Sequence, residues 1–357
     1  PASEREPYSP SQLKDYAKCG FRFLMERVHD VDEPPEYNLE PDPLDFGSVV
    51  HDTLEYFYTG LQDQSGDAVD LSSWNRDLLE ERLLDAGERA VDEAAMPYDD
   101  AFYQRWLESL FAGLCTPERN SYFGARDREV HRPEEGLFAK LLTKERDRDP
   151  EAAPGWFEVQ LDLSDGEAGT IEIEVGEGET VTLGGRIDRV TVDTSEDPPT
   201  GIVHDYKSSG GDLREAVDGV TFQLPIYALA AGRQLSTEDV DTPFDAGFYA
   251  LDHDSLGTGW SLSYYLYREG EHEDRDERYR QLVEEVTPQR IGTAVDGIES
   301  GAFQPTVLDE GTAGCRHCAF SDVCDVRYHK RRDTIATMDD DDQAGYVPQY
   351  ARADSYL

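Results

Sequence analysis

The sequence predicts a mixed α/β fold, with a central sheet of mixed strand direction flanked by helices. Three observations carry that expectation. Helical periodicity fills the first part of the chain; residues 156–208 switch to the period-2 alternation of strands; helical spacing returns from residue 222. A chain of 357 residues can bury a large core in one domain or two. Its 38% hydrophobic and 10% aromatic content places it among globular proteins.

Taken in order, Leu13, Tyr16, Ala17, Phe21, Leu24 and Met25 recur at helical spacing behind Ser9-Pro10-Ser11, with Ser11 as the N-cap. Residues 30–45, rich in Pro, Glu and Asp, read as a loop. A second helix is expected from about Phe46 to Tyr58, with Val49, Val50, Leu54 and Phe57 also apolar. Residues 60–150 read as a mostly helical insert around Trp74 and Trp106, without concentrated chemistry. Trp156 to Leu163 alternates as a strand; Thr170 to Val175, Thr180 to Asp193 and Gly201 to Ser208 follow, with Pro198-Pro199 marking the turn at 194–200. A helix over Phe222 to Gly232 tolerates Pro225 only in its first turn. Residues 246–252 and 260–267 suggest a strand pair, and 271–298 a charged helix. Residues 1–330 are expected to form one folded unit. The tail at 331–357, with Asp339 to Asp342 and few apolar residues, reads as mobile.

Charge is extreme: 33 basic against 77 acidic residues give −44, and lysine occurs only at positions 14, 18, 140, 144, 207 and 330. Such an excess fits a protein that binds basic partners, or one whose carboxylate-rich surface holds water in a cytoplasm of molar salt. The spread of acid along the whole chain and the avoidance of lysine favour the second, a halophilic archaeon-like composition. At ~1 M salt the Debye length is only ~3 Å, so self-repulsion is screened and a nucleic-acid substrate is not excluded. No apolar run approaches the ~20 residues of a membrane span, and the polar, charged first residues are unlike a signal peptide. A cytoplasmic protein without membrane partners is expected. The start at Pro1 reads as a trimmed or excised piece of a longer polypeptide.

Three of the five cysteines crowd together as Cys315-x2-Cys318-x5-Cys324, and Cys19 stands almost three hundred residues upstream. If one centre gathers these four, it ties the two ends of the fold together. Four thiolates could hold a [4Fe–4S] cluster or Zn²⁺, which spacing alone does not separate; His317 adds a possible zinc ligand. Cys115, in an apolar stretch, reads as a buried structural thiol.

If the third and fourth strands form a hairpin, Asp188 falls roughly opposite Asp205, and period-2 geometry puts Asp205 and Lys207 on one face. Phosphodiester hydrolysis uses that combination: hard carboxylate ligands for Mg²⁺ or Mn²⁺, and a lysine to orient water or stabilise charge on the phosphate. Asp-x-Lys is more often a surface ion pair. Here lysine is scarce, and Ile187, Val190, Val192, Ile202 and Val203 make both strands core-like. His51 lies on the second helix; Gln223 and Tyr227 share a helix face at i, i+4.

Gly47-x3-His51, Gly185-x-Ile187-Asp188-Arg189, Asp205-Tyr206-Lys207-Ser208 and Gln223-x3-Tyr227 occur in that order. The set resembles the PD-(D/E)XK nuclease domain of the RecB type. Tyr8-Ser9-Pro10-Ser11-Gln12-Leu13 with Cys19, and the Cys315–Cys324 segment, resemble the entry and iron–sulfur exit of AddB-type domains; nucleases of CRISPR adaptation share this clasp. The resemblance implies a restriction-endonuclease-like core. It implies Asp188, Asp205, His51 and the carbonyl of Tyr206 as ligands of Mg²⁺ or Mn²⁺, and Lys207 as the catalytic lysine. Gln223 and Tyr227 would line the site against nucleic acid, Glu158 could add a carboxylate, and a [4Fe–4S] cluster would sit on the four cysteines. Gly20 departs from the family's usual proline. The implied activity is a DNA exonuclease of recombination and double-strand break repair. No phosphate-loop motif occurs, so a helicase would lie upstream or in a partner. Alternatives are a stand-alone CRISPR-adaptation-like or RNA-processing nuclease, and a non-catalytic iron–sulfur DNA-binding module.

Overall fold

The computed structural model describes residues 6–31, 43–65, 69–94, 106–107, 109–114, 136–148, 153–161, 170–176, 178–193, 200–208, 211–235, 244–252, 255–269, 275–306, 308 and 313–324. The expected turn at 194–199, most of the loop at 30–45, Cys115 and the acidic tail lie outside the described residues.

The first helical pattern is two helices, α1 (Pro10–Lys18) and α2 (Gly20–Phe23), followed by a π-turn over Leu24–Val28. The cap is Ser9, not Ser11. Ser9 Oγ accepts from the Gln12 amide at 3.1 Å, and Gln12 Oε1 accepts from the Ser9 amide at 2.8 Å. That capping box, with Pro10 in the first turn, outcompetes a start two residues later. The expected continuity through Met25 breaks at Cys19, whose extended backbone (φ −165°, ψ 108°) ends α1. Its sulfur then caps α2, accepting from the Arg22 amide at 3.5 Å.

The second helix, α3 (Pro43–Ser65), runs longer than expected at both ends. In the stretch read as an insert, α4 (Arg76–Glu93) and α5 (Leu137–Arg146) are described. Their apolar faces join α3 in one core, including Leu54, Phe57, Leu83, Phe111 and Phe138. This core covers one face of the main sheet.

The strands are β1 (Pro154–Gln160), β2 (Thr170–Gly176), β3 (Glu179–Gly184), β4 (Arg186–Asp193) and β5 (Thr200–Lys207). The single strand expected over Thr180 to Asp193 is therefore two. The chain leaves the β2–β3 ribbon at Gly185 and enters the main sheet. A Cβ at Gly185 would lie 3.2 Å from Leu161 and 3.3 Å from the Tyr227 hydroxyl, so only glycine passes there without displacing Tyr227. Two helices, α6 (Leu213–Val217) and α7 (Gln223–Leu235), make the crossover to β6 (Asp245–Ala250). That crossover lets β6 run parallel to β5. β7 (Gly257–Ser261) closes the edge, so the main sheet has the mixed order β1-β4-β5-β6-β7.

The expected strand over 260–267 ends at Ser261; the rest is helix α8 (Leu262–Glu269), whose apolar residues sit at helical spacing. The charged helix is also divided, into α9 (Arg275–Gln281), a π-turn over Leu282–Val286, and α10 (Thr287–Glu299). Pro288 explains the widened turn: it lacks an amide for the regular ladder, and its ring would clash with the preceding turn. Helices α1, α7 and α10 cover the second face of the sheet over Leu13, Val190, Val203, Ile226 and Ile291. With both faces covered, β4 and β5 are buried almost throughout, and the polar Asp188, Arg189, Thr191, His204 and Asp205 are buried with them. Among the described residues no helix is long and apolar enough to cross a membrane.

Candidate active site

Strand register builds the site. β1 pairs with β4 as Phe157↔Arg189 and Val159↔Ile187, which sets Glu158 beside Asp188. β4 pairs with β5 as Arg189↔His204, so the next step sets Asp188 beside Asp205. Three carboxylates thus stand in a row across three strands, with Asp188 and Asp205 buried. Asp188 Oδ2 accepts from the Tyr206 amide at 2.7 Å. Lys207 Nζ lies 2.6 Å from Asp205 Oδ2, as their shared face requires. From α7, Gln223 Nε2 donates to Asp205 Oδ1 at 2.7 Å and lies 3.4 Å from the Tyr227 hydroxyl. From α3, His51 Nδ1 reaches to 3.7 Å from Asp188 Oδ1, and its ring meets Tyr206 edge-on. The structure therefore brings Asp188, Asp205, Lys207, His51, Tyr206, Gln223 and Tyr227 together.

The electrostatics are those of a site short of positive charge. Burial pushes Asp188 up to about 6 against the Tyr206 amide, Lys207 and Arg186, which favour its charged form. Burial also pushes Asp205 up to about 6; Lys207 opposes this, while neighbouring Asp188 adds to it. Glu158 is pushed up to about 8, by burial and then by Asp188, with Arg186 opposing. Burial lowers His51, so its neutral, ligand-competent form is favoured, although Asp205 pulls the other way. Ligand atoms of His51, Glu158 and Asp188 all lie within 4.8 Å of one another, a spacing that fits one divalent cation. Glu158 Oε1 is buried without a hydrogen-bond partner, which marks room for a further positive charge.

Glu158 is the residue that pattern reading undervalued. Its backbone adopts φ +50°, rare for a side-chain-bearing residue, and Arg186 Nε pairs with its Oε2 at 2.6 Å. Pairing β1 with β4 by their alternation would have found it. Arg186, also 3.3 Å from Glu55, carries no signal of its own inside the Gly185–Arg189 motif. Arg189 of the same motif faces away and is fully buried against Glu145. A Cβ on Gly47 would meet nothing within 4 Å, and nothing in the structure explains that glycine.

Apart from this site, Cys19, Cys315, Cys318 and Cys324 surround one cavity of about 220 Å³. Burial raises the Cys19 thiol, while the amides of Arg22, Thr306 and Phe21 favour its thiolate. His317 is exposed and does not line this cavity. Gly20 occupies the first position of α2, where a proline would also fit.

A buried carboxylate row beside a lysine, on a mixed sheet between helical layers, defines a nuclease of the PD-(D/E)XK class. The family model of the PD-(D/E)XK nuclease superfamily matches residues 7–325, and the chain belongs to that superfamily. It is also similar to one component of the ATP-dependent helicase/deoxyribonuclease in three bacteria. The Moorella thermoacetica protein is 28% identical over 227 residues, 62% of this chain and 17% of that protein. The Acetivibrio thermocellus protein is 28% identical over 222 residues (61% and 17%), and that of Alkaliphilus metalliredigens 25% over 222 residues (61% and 17%). The chain thus spans 17% of the length of these relatives.

Proposed function

We propose that this domain hydrolyses DNA phosphodiester bonds as the exonuclease end of a helicase–nuclease in recombination and double-strand break repair. The observation that carries this reading is the row Glu158–Asp188–Asp205 with Lys207 and His51 against it. The names of the similar bacterial proteins support DNA as substrate and a helicase as partner, fused upstream or in trans. Asp188, Asp205, His51 and the Tyr206 carbonyl would hold Mg²⁺ or Mn²⁺, with Glu158 as a further carboxylate. Bound there, the cation supplies a Lewis acid that polarises the phosphate and makes water easier to deprotonate. Lys207, held by Asp205, orients the attacking water and stabilises negative charge on the pentavalent phosphorus. Gln223 fixes the other oxygen of Asp205, and with Tyr227 contacts the nucleic-acid backbone. The acid-rich composition fits work in a high-salt cytoplasm. Cleavage of labelled DNA with Mg²⁺ in molar salt tests the assignment. Lys207→Ala is expected to lower the rate by about 100- to 1,000-fold; an unchanged rate removes Lys207 from the chemistry.

The four cysteines would hold a [4Fe–4S] cluster that clasps the two ends. The observation that supports a shared centre is that all four cysteines line one cavity; iron and zinc analysis of the purified protein separates a [4Fe–4S] cluster from Zn²⁺. Cys19→Ala should lose iron and unfold at lower temperature, with cleavage falling only as folding fails. Full iron content in that variant would exclude Cys19 from the clasp.

A further inference from the structure

Three of the six lysines in this chain of net charge −44 stand close enough to repel one another, and one of them is Lys207. The other two, Lys14 and Lys18, are one turn apart on α1. The fold turns them toward the end of β5. Val203, Asp205 and Lys207 share a strand face by the period of two, and Val203 packs in the same core as Leu13 and Ala17 of α1. Lys14 and Lys18 follow those two residues in sequence and lie half-buried on the flank of the stripe they form. Lys18 Nζ pairs at 3.0 Å with Glu215 of α6, the helix that begins six residues after Lys207.

Of the three, Lys14 alone lacks a counter-charge. Among the described residues it makes no ion pair and no hydrogen bond. The two carboxylates whose charge favours its own are already taken, Asp15 by Arg27 at 2.6 Å and Glu215 by Lys18. Burial lowers the Lys14 ammonium, and Lys18 and then Lys207 lower it further. A half-buried ammonium that is repelled by two others and paired with nothing is an arrangement short of an anion. The charges that act most on Lys14 include no carboxylate of the row, so it stands beyond Lys207 as seen from Asp205. The site is thus short of positive charge at Glu158 and short of negative charge at α1. A divalent cation answers the first, and a phosphate answers the second.

We propose that Lys14 binds the substrate phosphate next to the one being cleaved, and so makes the site prefer a polynucleotide to an isolated phosphodiester. The proposal deepens the nuclease reading and rests on it for the class of ligand. Lys207 stays with Asp205 at the scissile phosphate, and Lys14 is a binding residue one phosphate away.

The test compares Lys14→Met, Lys14→Arg and Lys18→Met. Binding is read by fluorescence anisotropy of a labelled oligonucleotide without divalent cation, over a range of salt; cleavage is read with Mg²⁺. Lys14→Met keeps the apolar stem and loses the charge. It is expected to weaken DNA binding by roughly 10-fold, and to reduce the log–log salt slope by about 0.7 on a single strand or about 0.9 on a duplex. Lys14→Arg should keep most of the affinity. Lys18→Met removes the same charge from the same helix, but from a lysine already paired, and should weaken binding less. In cleavage, Lys14→Met should raise KM for DNA more than it lowers kcat, and should penalise DNA more than bis(p-nitrophenyl) phosphate, which has no second phosphate. Its melting temperature should not fall, because no partner inside the protein is lost. Parent-like DNA binding in Lys14→Met overturns the proposal. So does an equal loss in Lys14→Met and Lys18→Met, an equal loss for DNA and the small ester, or a loss of affinity that tracks a lowered melting temperature. If the parent protein binds DNA through Lys14 but hydrolyses neither substrate, the nuclease reading fails and the Lys14 contact stands. If it hydrolyses both and Lys14→Met binds normally, the Lys14 contact alone fails.

Discussion

Glu145 and Asp205 are both buried carboxylates packed against the same sheet, on opposite faces, and they are balanced in opposite ways. Glu145 receives Arg189 Nη2 at 2.7 Å, Arg148 Nη2 at 3.2 Å and the Tyr249 hydroxyl at 2.8 Å. Burial alone would push it up, but Arg189 and Arg148 outweigh that and hold it at about 2. Asp205 has one lysine and one amide against burial and a second carboxylate, and stands at about 6. The first arrangement is closed: the buried Glu145 carboxylate is met by two guanidinium groups and a hydroxyl inside the protein. The second is open, and its missing positive charge is what a divalent cation would bring.

The largest expected effect lies on the closed side. Glu145→Gln leaves Arg189 buried with half its partner gone, and should lower unfolding stability by about 3–5 kcal/mol in a denaturant titration. Replacing both partners, as in Glu145→Leu/Arg189→Met, should recover much of that loss, because the penalty is the orphaned charge. A single variant as stable as the parent would show that the pair does not hold α5 to the sheet. On the open side the sign reverses. Asp205→Asn removes a repelled charge, so the metal-free protein should gain stability, on the order of 1–3 kcal/mol, while losing cleavage. A loss of stability would mean that the Lys207 pair outweighs the repulsion.

The two sides were not equally legible. The open side could be read because its chemistry follows local spacing: Asp205-x-Lys207 on one strand face, Gln223-x3-Tyr227 on one helix face, and a hairpin that sets Asp188 opposite Asp205. The closed side joins Arg189 to Glu145 across forty-four residues of chain. No period encodes such a contact, so the helical stretch looked empty of chemistry although it supplies a counter-charge and most of one of the two core clusters. Boundaries failed for local reasons. Ser9 beat Ser11 because Gln12 could close a capping box, Gly185 split one alternating run between two sheets, and Pro288 widened the turn before it.

The smallest effect separates the two sides by pH. Glu158, raised to about 8, and Asp188 and Asp205, raised to about 6, hold protons in the folded, metal-free protein that the unfolded chain has already released. Their linkage makes stability fall as pH rises from the ordinary carboxylate range through those values. His51 and His204 are lowered by burial, so they act in the opposite sense, and only below their ordinary value near 6.5. Between about pH 6.5 and 8, then, Glu158 dominates. Metal-free unfolding free energy should decline across that window, with a slope of at most about 1.4 kcal/mol per pH unit, and the melting temperature should fall with it. Glu145 contributes nothing there, because its stabilisation is complete well below neutrality and is lost only in strong acid. Saturating Mg²⁺ should flatten the decline by favouring the ionised row, and Glu158→Gln should remove it. If the decline survives in Glu158→Gln, the open side is not where the proton is held.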